Sequence, residues 1–91
     1  MLKSVFALAL VAGSIVLPTV PVQAANPGFC DAYARRAVAQ YIRYRSIPGC
    51  FRGVNRRWQP NYGNHFAWCL RAPYGAARVE TAWRSERLSG C

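Results

Sequence analysis

His65-Phe66-Ala67-Trp68-Cys69-Leu70 is the most apolar short run after the N-terminus, and its reading decides the fold. It holds the single histidine of the chain and one of its four cysteines. It also sits midway between two longer stretches with helical periodicity. Read as a short helix from His65 to Arg71, capped by Asn64, it becomes a plug that two outer helices close over. Trp68 is then expected to be buried, and Cys69 to anchor the plug covalently.

Upstream, Asp31 to about Arg45 reads as the first outer helix. Ala34, Ala37, Val38, Tyr41 and Ile42 recur at helical spacing and form one apolar stripe. Asp31 in the first turn suits the positive end of the helix dipole, and Arg43 and Arg45 suit the negative end. Asn26-Pro27-Gly28 before it reads as a turn or tail, and Pro48-Gly49 stops it. Cys50 to Gly63 has no sustained period and is expected to be loop, pinned by Phe51 and Trp58. Downstream, Pro73 opens a last helix that runs to about Leu88, with Ala76, Val79, Ala82 and Trp83 on its apolar side. Glu80 and Arg84 form an i,i+4 pair on it, and Gly90 is placed to cap it. No strand pattern competes. The expected class is all-α: two longer antiparallel helices and a short central helix.

Four cysteines, Cys30, Cys50, Cys69 and Cys91, allow three pairings. If the outer helices pack antiparallel, Cys30 and Cys91 meet at one end, and Cys50 is left to pair with Cys69. This nested arrangement is preferred; the other two pairings stay open. A rival use is a metal site from His65 and Cys69, one helical turn apart. It is disfavoured because no C-x-x-C knuckle is present and an exported thiol is oxidised. No metal and no cofactor is therefore expected.

Export is read from the N-terminus. Lys3 gives a positive start, Val5 to Leu17 an apolar run, and Val22-Gln23-Ala24 a small-x-small cleavage site. Residues 1–24 are expected to be a signal peptide and residues 25–91 a single small domain, periplasmic or secreted. A domain of that size buries too little surface to be secure on its core alone, so the disulfides carry part of its stability. Without Lys3 the charge comes from eleven arginines against Asp31, Glu80 and Glu86, a net of about +8. Such a surface draws anionic partners.

Arg52 and Arg56-Arg57-Trp58 mix guanidinium charge with a flat ring, as polyanion sites do. They are the candidate anion-binding residues. The expected partner is an anionic envelope polymer or lipid headgroup, or an envelope protein; nucleic acid is disfavoured in an exported chain. His65 is the only candidate general base. Ser46, Thr81, Ser85 and Ser89 sit in no nucleophile setting, so no enzyme activity is expected and a small hydrolase is the weakest alternative. A cationic membrane-active effector is the stronger alternative, although its apolar residues would be needed for lipid rather than for a core.

The run Cys30-x-x-Tyr33-Ala34, Ala37-Val38-x-Gln40, Cys50, Arg57-Trp58, His65-Phe66-x-Trp68-Cys69-Leu70, Glu80-Thr81 and Cys91 resembles a cysteine-framed helical module of exported proteobacterial proteins. The resemblance spans nearly all of the expected mature chain. It departs in the loop, where the module has Gly after its second cysteine and Gly-Pro before Arg-Trp. Here Phe51 and Asn55-Arg56 stand in those places. The resemblance implies export and a helical fold, and no activity.

The expected chain is thus an exported, non-enzymatic binding or structural module of the cell envelope. Its exported form should have an intact mass corresponding to a start at Ala25 or Asn26. A form that retains Met1 in the inner membrane contradicts this reading.

Overall fold

A computed structural model of the chain describes residues 25–91, so the signal-peptide reading of residues 1–24 lies outside the described residues. Those described contain three helices and no strand: α1 (Pro27–Ser46), α2 (Tyr62–Arg71) and α3 (Tyr74–Ser89). The all-α class holds, with two longer helices, a shorter one between them and two disulfides. No helix of this set is long and apolar enough to cross a membrane.

Each of the first two helices begins earlier than expected. The Asn26 side chain accepts from the Phe29 N–H at 2.8 Å, and Pro27 occupies the first turn, where its missing N–H costs nothing. What read as a tail is therefore a cap. Asp31 falls in the second turn, where it pairs with Arg35 at 3.0 Å and accepts from the Tyr62 hydroxyl. Similarly Asn61, not Asn64, caps α2, accepting from the Asn64 N–H at 3.0 Å. Gly90 ends α3 as expected.

The buried faces are rotated from those expected. On α1 they comprise Cys30, Tyr33, Ala34, Ala37, Gln40, Tyr41 and Tyr44, while Ile42 is 60% exposed. On α3 they comprise Ala77, Arg84 and Leu88, while Val79 is 68% exposed. A polar side chain stands in the middle of each stripe, Gln40 on one and Arg84 on the other. Periodicity counted over apolar residues alone passes them by. Trp68, the expected plug, is only half-buried; the fully packed indole is Trp58, 4% exposed and stacked on Tyr44 with ring centroids 4.1 Å apart.

The long helices run in the same sense, not antiparallel. Phe29 and Tyr74, near their starts, have ring centroids 4.5 Å apart. Midway, Gln40 Nε2 donates to Ser85 Oγ at 3.0 Å. Beyond their ends, Cys50 is bonded to Cys91. The cause is α2, which is a full leg of the fold. It returns toward the start of α1, where Cys69 is bonded to Cys30 and the Ala25 N–H donates to the Ala72 carbonyl at 3.4 Å. One leg back makes the first and third helices parallel.

The disulfides follow from this path and correct the nested pairing: they are Cys30–Cys69 and Cys50–Cys91, with Cα atoms 5.5 and 5.3 Å apart. Each touches one of two small cores. The first gathers Cys30, Tyr33, Cys69 and Ala77; the second gathers Tyr41, Tyr44, Cys50, Trp58 and Leu88.

The loop between α1 and α2 is tied to the second core. Tyr44 Oη accepts from the Arg52 N–H at 2.8 Å and donates to the Gly53 carbonyl at 3.1 Å. Gly53 has φ 101°, a left-handed conformation that costs any side chain strain. Asn55 Oδ1 accepts from the N–H groups of both Arg57 and Trp58 at 2.9 Å, closing a turn that drives Trp58 inward.

Non-reducing peptide mapping of the native protein should therefore give fragments joining Cys30 to Cys69 and Cys50 to Cys91. A fragment joining Cys30 to Cys91 would contradict the parallel arrangement.

Candidate functional site

Where the loop, α2 and α3 meet, they leave a cleft of about 730 Å³. Its deepest residues are Tyr33, His65 and Arg84, all buried. Arg56 and Arg57 stand on the loop side, Trp68 and Arg71 on the α2 side, and Glu80 and Trp83 on the α3 side.

The base of the cleft is held by Arg84, which is 1% exposed. Its Nε donates to the Arg57 carbonyl at 3.0 Å, its Nη1 to Gln40 Oε1 at 3.3 Å and its Nη2 to Tyr33 Oη at 2.7 Å. Glu80 Oε2 lies 4.0 Å from Nη2, the expected i,i+4 pair. Burial pushes the Tyr33 phenol up from its ordinary value, against the Arg84 hydrogen bond. The closer partner of the Glu80 carboxylate is the Arg57 guanidinium, which donates to both oxygens: Nε to Oε2, and Nη2 to Oε1 at 3.1 Å. The other side of the Arg57 guanidinium lies over the Trp83 ring, 3.9 Å from its centroid. Glu80 thus joins the buried charge to the cleft wall.

The sequence candidates divide. Arg56, Arg57 and Trp58 line the cleft. Arg52 does not; its Nη1 donates back to the Phe51 carbonyl at 3.2 Å. Trp58 packs against Tyr44 and leaves no open face as a platform. Trp83, 42% exposed, and the half-buried Trp68 bring rings to the cleft instead. Arg71 and Asn64 are further lining residues that the sequence does not single out. Their signal is spacing: Asn64, Ala67, Trp68 and Arg71 fall on one face of α2. Neither Arg56 nor Arg71 has an acid partner among the described residues.

His65 is buried rather than partly exposed as expected, and its Nε2 meets the Gln59 carbonyl at 2.9 Å. The contact makes Nε2 the protonated nitrogen, since a carbonyl only accepts. Cys69, one turn on, is in a disulfide and offers no thiolate beside it. Comparison with known protein families, curated proteins and solved structures finds no match.

Burial holds the His65 pKa below its ordinary value of 6.5, the nearby Arg84 charge acting the same way, against the Gln59 hydrogen bond. Above that value His65 is neutral in both folded and unfolded chains and costs nothing. Below it the unfolded chain takes up a proton that the folded chain resists, so stability falls as pH falls. The melting temperature should drop between about pH 7 and about pH 5, where histidine is the side chain that ordinarily titrates. His65→Gln should flatten that slope whatever its effect on stability at neutral pH. An unchanged slope would place the pH response elsewhere.

Proposed function

We propose that this chain is an exported, disulfide-stapled binding module whose cleft takes an anionic component of the cell envelope. The observation that carries this reading is the convergence of Arg56 and Arg71, without internal acid partners, on a cleft that also holds Trp68 and Trp83. A guanidinium offers a planar fork of donors suited to carboxylate or phosphate. The two disulfides belong to an oxidising compartment, which supports the periplasm or the medium as the site of action. The net positive charge would draw an acidic partner toward the cleft over a Debye length of about 8–10 Å.

Binding fits the cleft better than catalysis. His65 is a candidate base in it, but Cys69, one helical turn on, is held in a disulfide and offers no nucleophile beside it. Membrane disruption fits less well, because both cores already use much of the aromatic content of the chain.

Binding to an immobilised acidic polysaccharide should therefore be tight at low salt and weaken steeply as salt rises. Arg56→Ala and Arg71→Ala should each lower affinity about fivefold, the effect of losing one exposed ion pair of about 1 kcal/mol. Arg45→Ala, outside the cleft, should change it little. Salt-independent binding, or equal effects at all three positions, would refute a specific anion cleft. Dye leakage from anionic vesicles without polymer binding would point to a membrane-active effector instead.

A further inference from the structure

We infer that the cleft ligand is an acidic saccharide, with its sugar rings met by the indoles and its carboxylate by Arg56 and Arg71. This rests on the anion-binding reading above and narrows it.

The cleft contains acceptors as well as donors. Glu80 is a carboxylate with lone pairs beyond those used by Arg57, and the Oδ1 of Asn64 has no partner among the described residues while its Nδ2 donates to Gln59 Oε1 at 2.8 Å. A simple polyanion has no protons to give such groups, and a carboxylate wall repels it. A saccharide brings hydroxyls that donate and accept, so the same wall becomes useful to it. The indoles add apolar faces, which suit the C–H faces of a sugar ring and offer nothing to inorganic phosphate.

The cleft also contains an example of the recognition proposed. Arg57 holds a carboxylate side-on while lying against an indole. Arg56 and Arg71 bring two more guanidiniums with no acid on them among the described residues, although Arg71 Nη1 donates to the Ala67 carbonyl at 3.3 Å. Its volume of about 730 Å³ is in the range of sites for whole organic ligands, about 300–1,000 Å³, and exceeds what a single small anion fills.

The test is a titration of the native disulfide-bonded protein with three probes, read by tryptophan fluorescence and by calorimetry. They are oligogalacturonate, inorganic polyphosphate of similar charge, and neutral dextran oligomers. Oligogalacturonate should bind at least about tenfold more tightly than either of the others and shift the indole emission. Trp83→Leu, with its melting temperature checked, should reduce oligogalacturonate affinity about tenfold and leave weak polyphosphate binding unchanged. Polyphosphate binding as tight as oligogalacturonate would overturn the saccharide inference and leave the anion cleft standing. Dextran binding as tight as oligogalacturonate would overturn both, as would no binding by any probe. If Trp83→Leu fails to fold, the ranking of the three probes on the native protein decides alone.

Discussion

The guanidinium of Arg84 is the constraint on which the rest of the structure depends. A buried charge without partners costs several kcal/mol, so it persists only where the surrounding groups satisfy it. Here each of its three nitrogens has an oxygen: the Arg57 carbonyl on the loop, Gln40 and Tyr33 on α1, with Glu80 of its own helix nearby. These contacts tie α1, the loop and α3 together. They also set register: moving α3 by one residue along α1 would take Arg84 away from all three oxygens at once. The polar layer sits between the two cores, and each core is too small to fix the relation of the long helices alone.

The disulfides act on a different part of the balance. They close stretches separated by 39 and 41 residues, interlaced rather than nested. In the chain-entropy model a loop of that length contributes roughly 4 kcal/mol when taken singly. Total stability of a domain is only about 5–15 kcal/mol, so the covalent links are of the same order as the whole. Arg84 chooses among compact arrangements, and the disulfides limit the unfolded ones. Neither substitutes for the other, because unpaired polar groups would still oppose burial in a cross-linked chain.

Much of this is legible in the sequence, and the rest depends on contacts between residues far apart in the chain. The number and order of the helices, the stop at Pro48-Gly49, the cap at Gly90 and the use of the cysteines in disulfides follow from local chemistry. The faces of α1 and α3 do not, because a stripe counted over apolar residues leaves out Gln40 and Arg84, which are buried. Each makes sense only when the other is known, and they lie 44 residues apart in the chain. The cysteine pairing is missed for a related reason: α2 read as a plug leaves the long helices antiparallel and pairs Cys30 with Cys91, whereas α2 is a full leg and pairs Cys30 with Cys69. At the site, charge density pointed to Arg56 and Arg57 but also to Arg52, which the loop turns away. Trp58 was chosen for its place beside two arginines, although the Asn55 turn sends that ring inward and leaves Trp83, from another helix, beside Arg57.

The exclusive use of arginine in the described residues then divides into two physical roles. At position 84 the planar fork reaches three oxygens in different directions, and the compact ammonium of a lysine could not reproduce that spread. At position 57 the group lies over an indole, 3.9 Å from its centroid, while its edge meets a carboxylate, again a use of the fork rather than of charge alone. Neither guanidinium is free to meet a partner without breaking those contacts. Arg56 and Arg71 stand on the same cleft with no acid to answer them. The net charge of the chain therefore overstates what is available for recognition. The same Glu80 that neutralises the structural pair on one wall leaves the uncompensated charge on the others, which gives the cleft a direction in which an acidic ligand can lie.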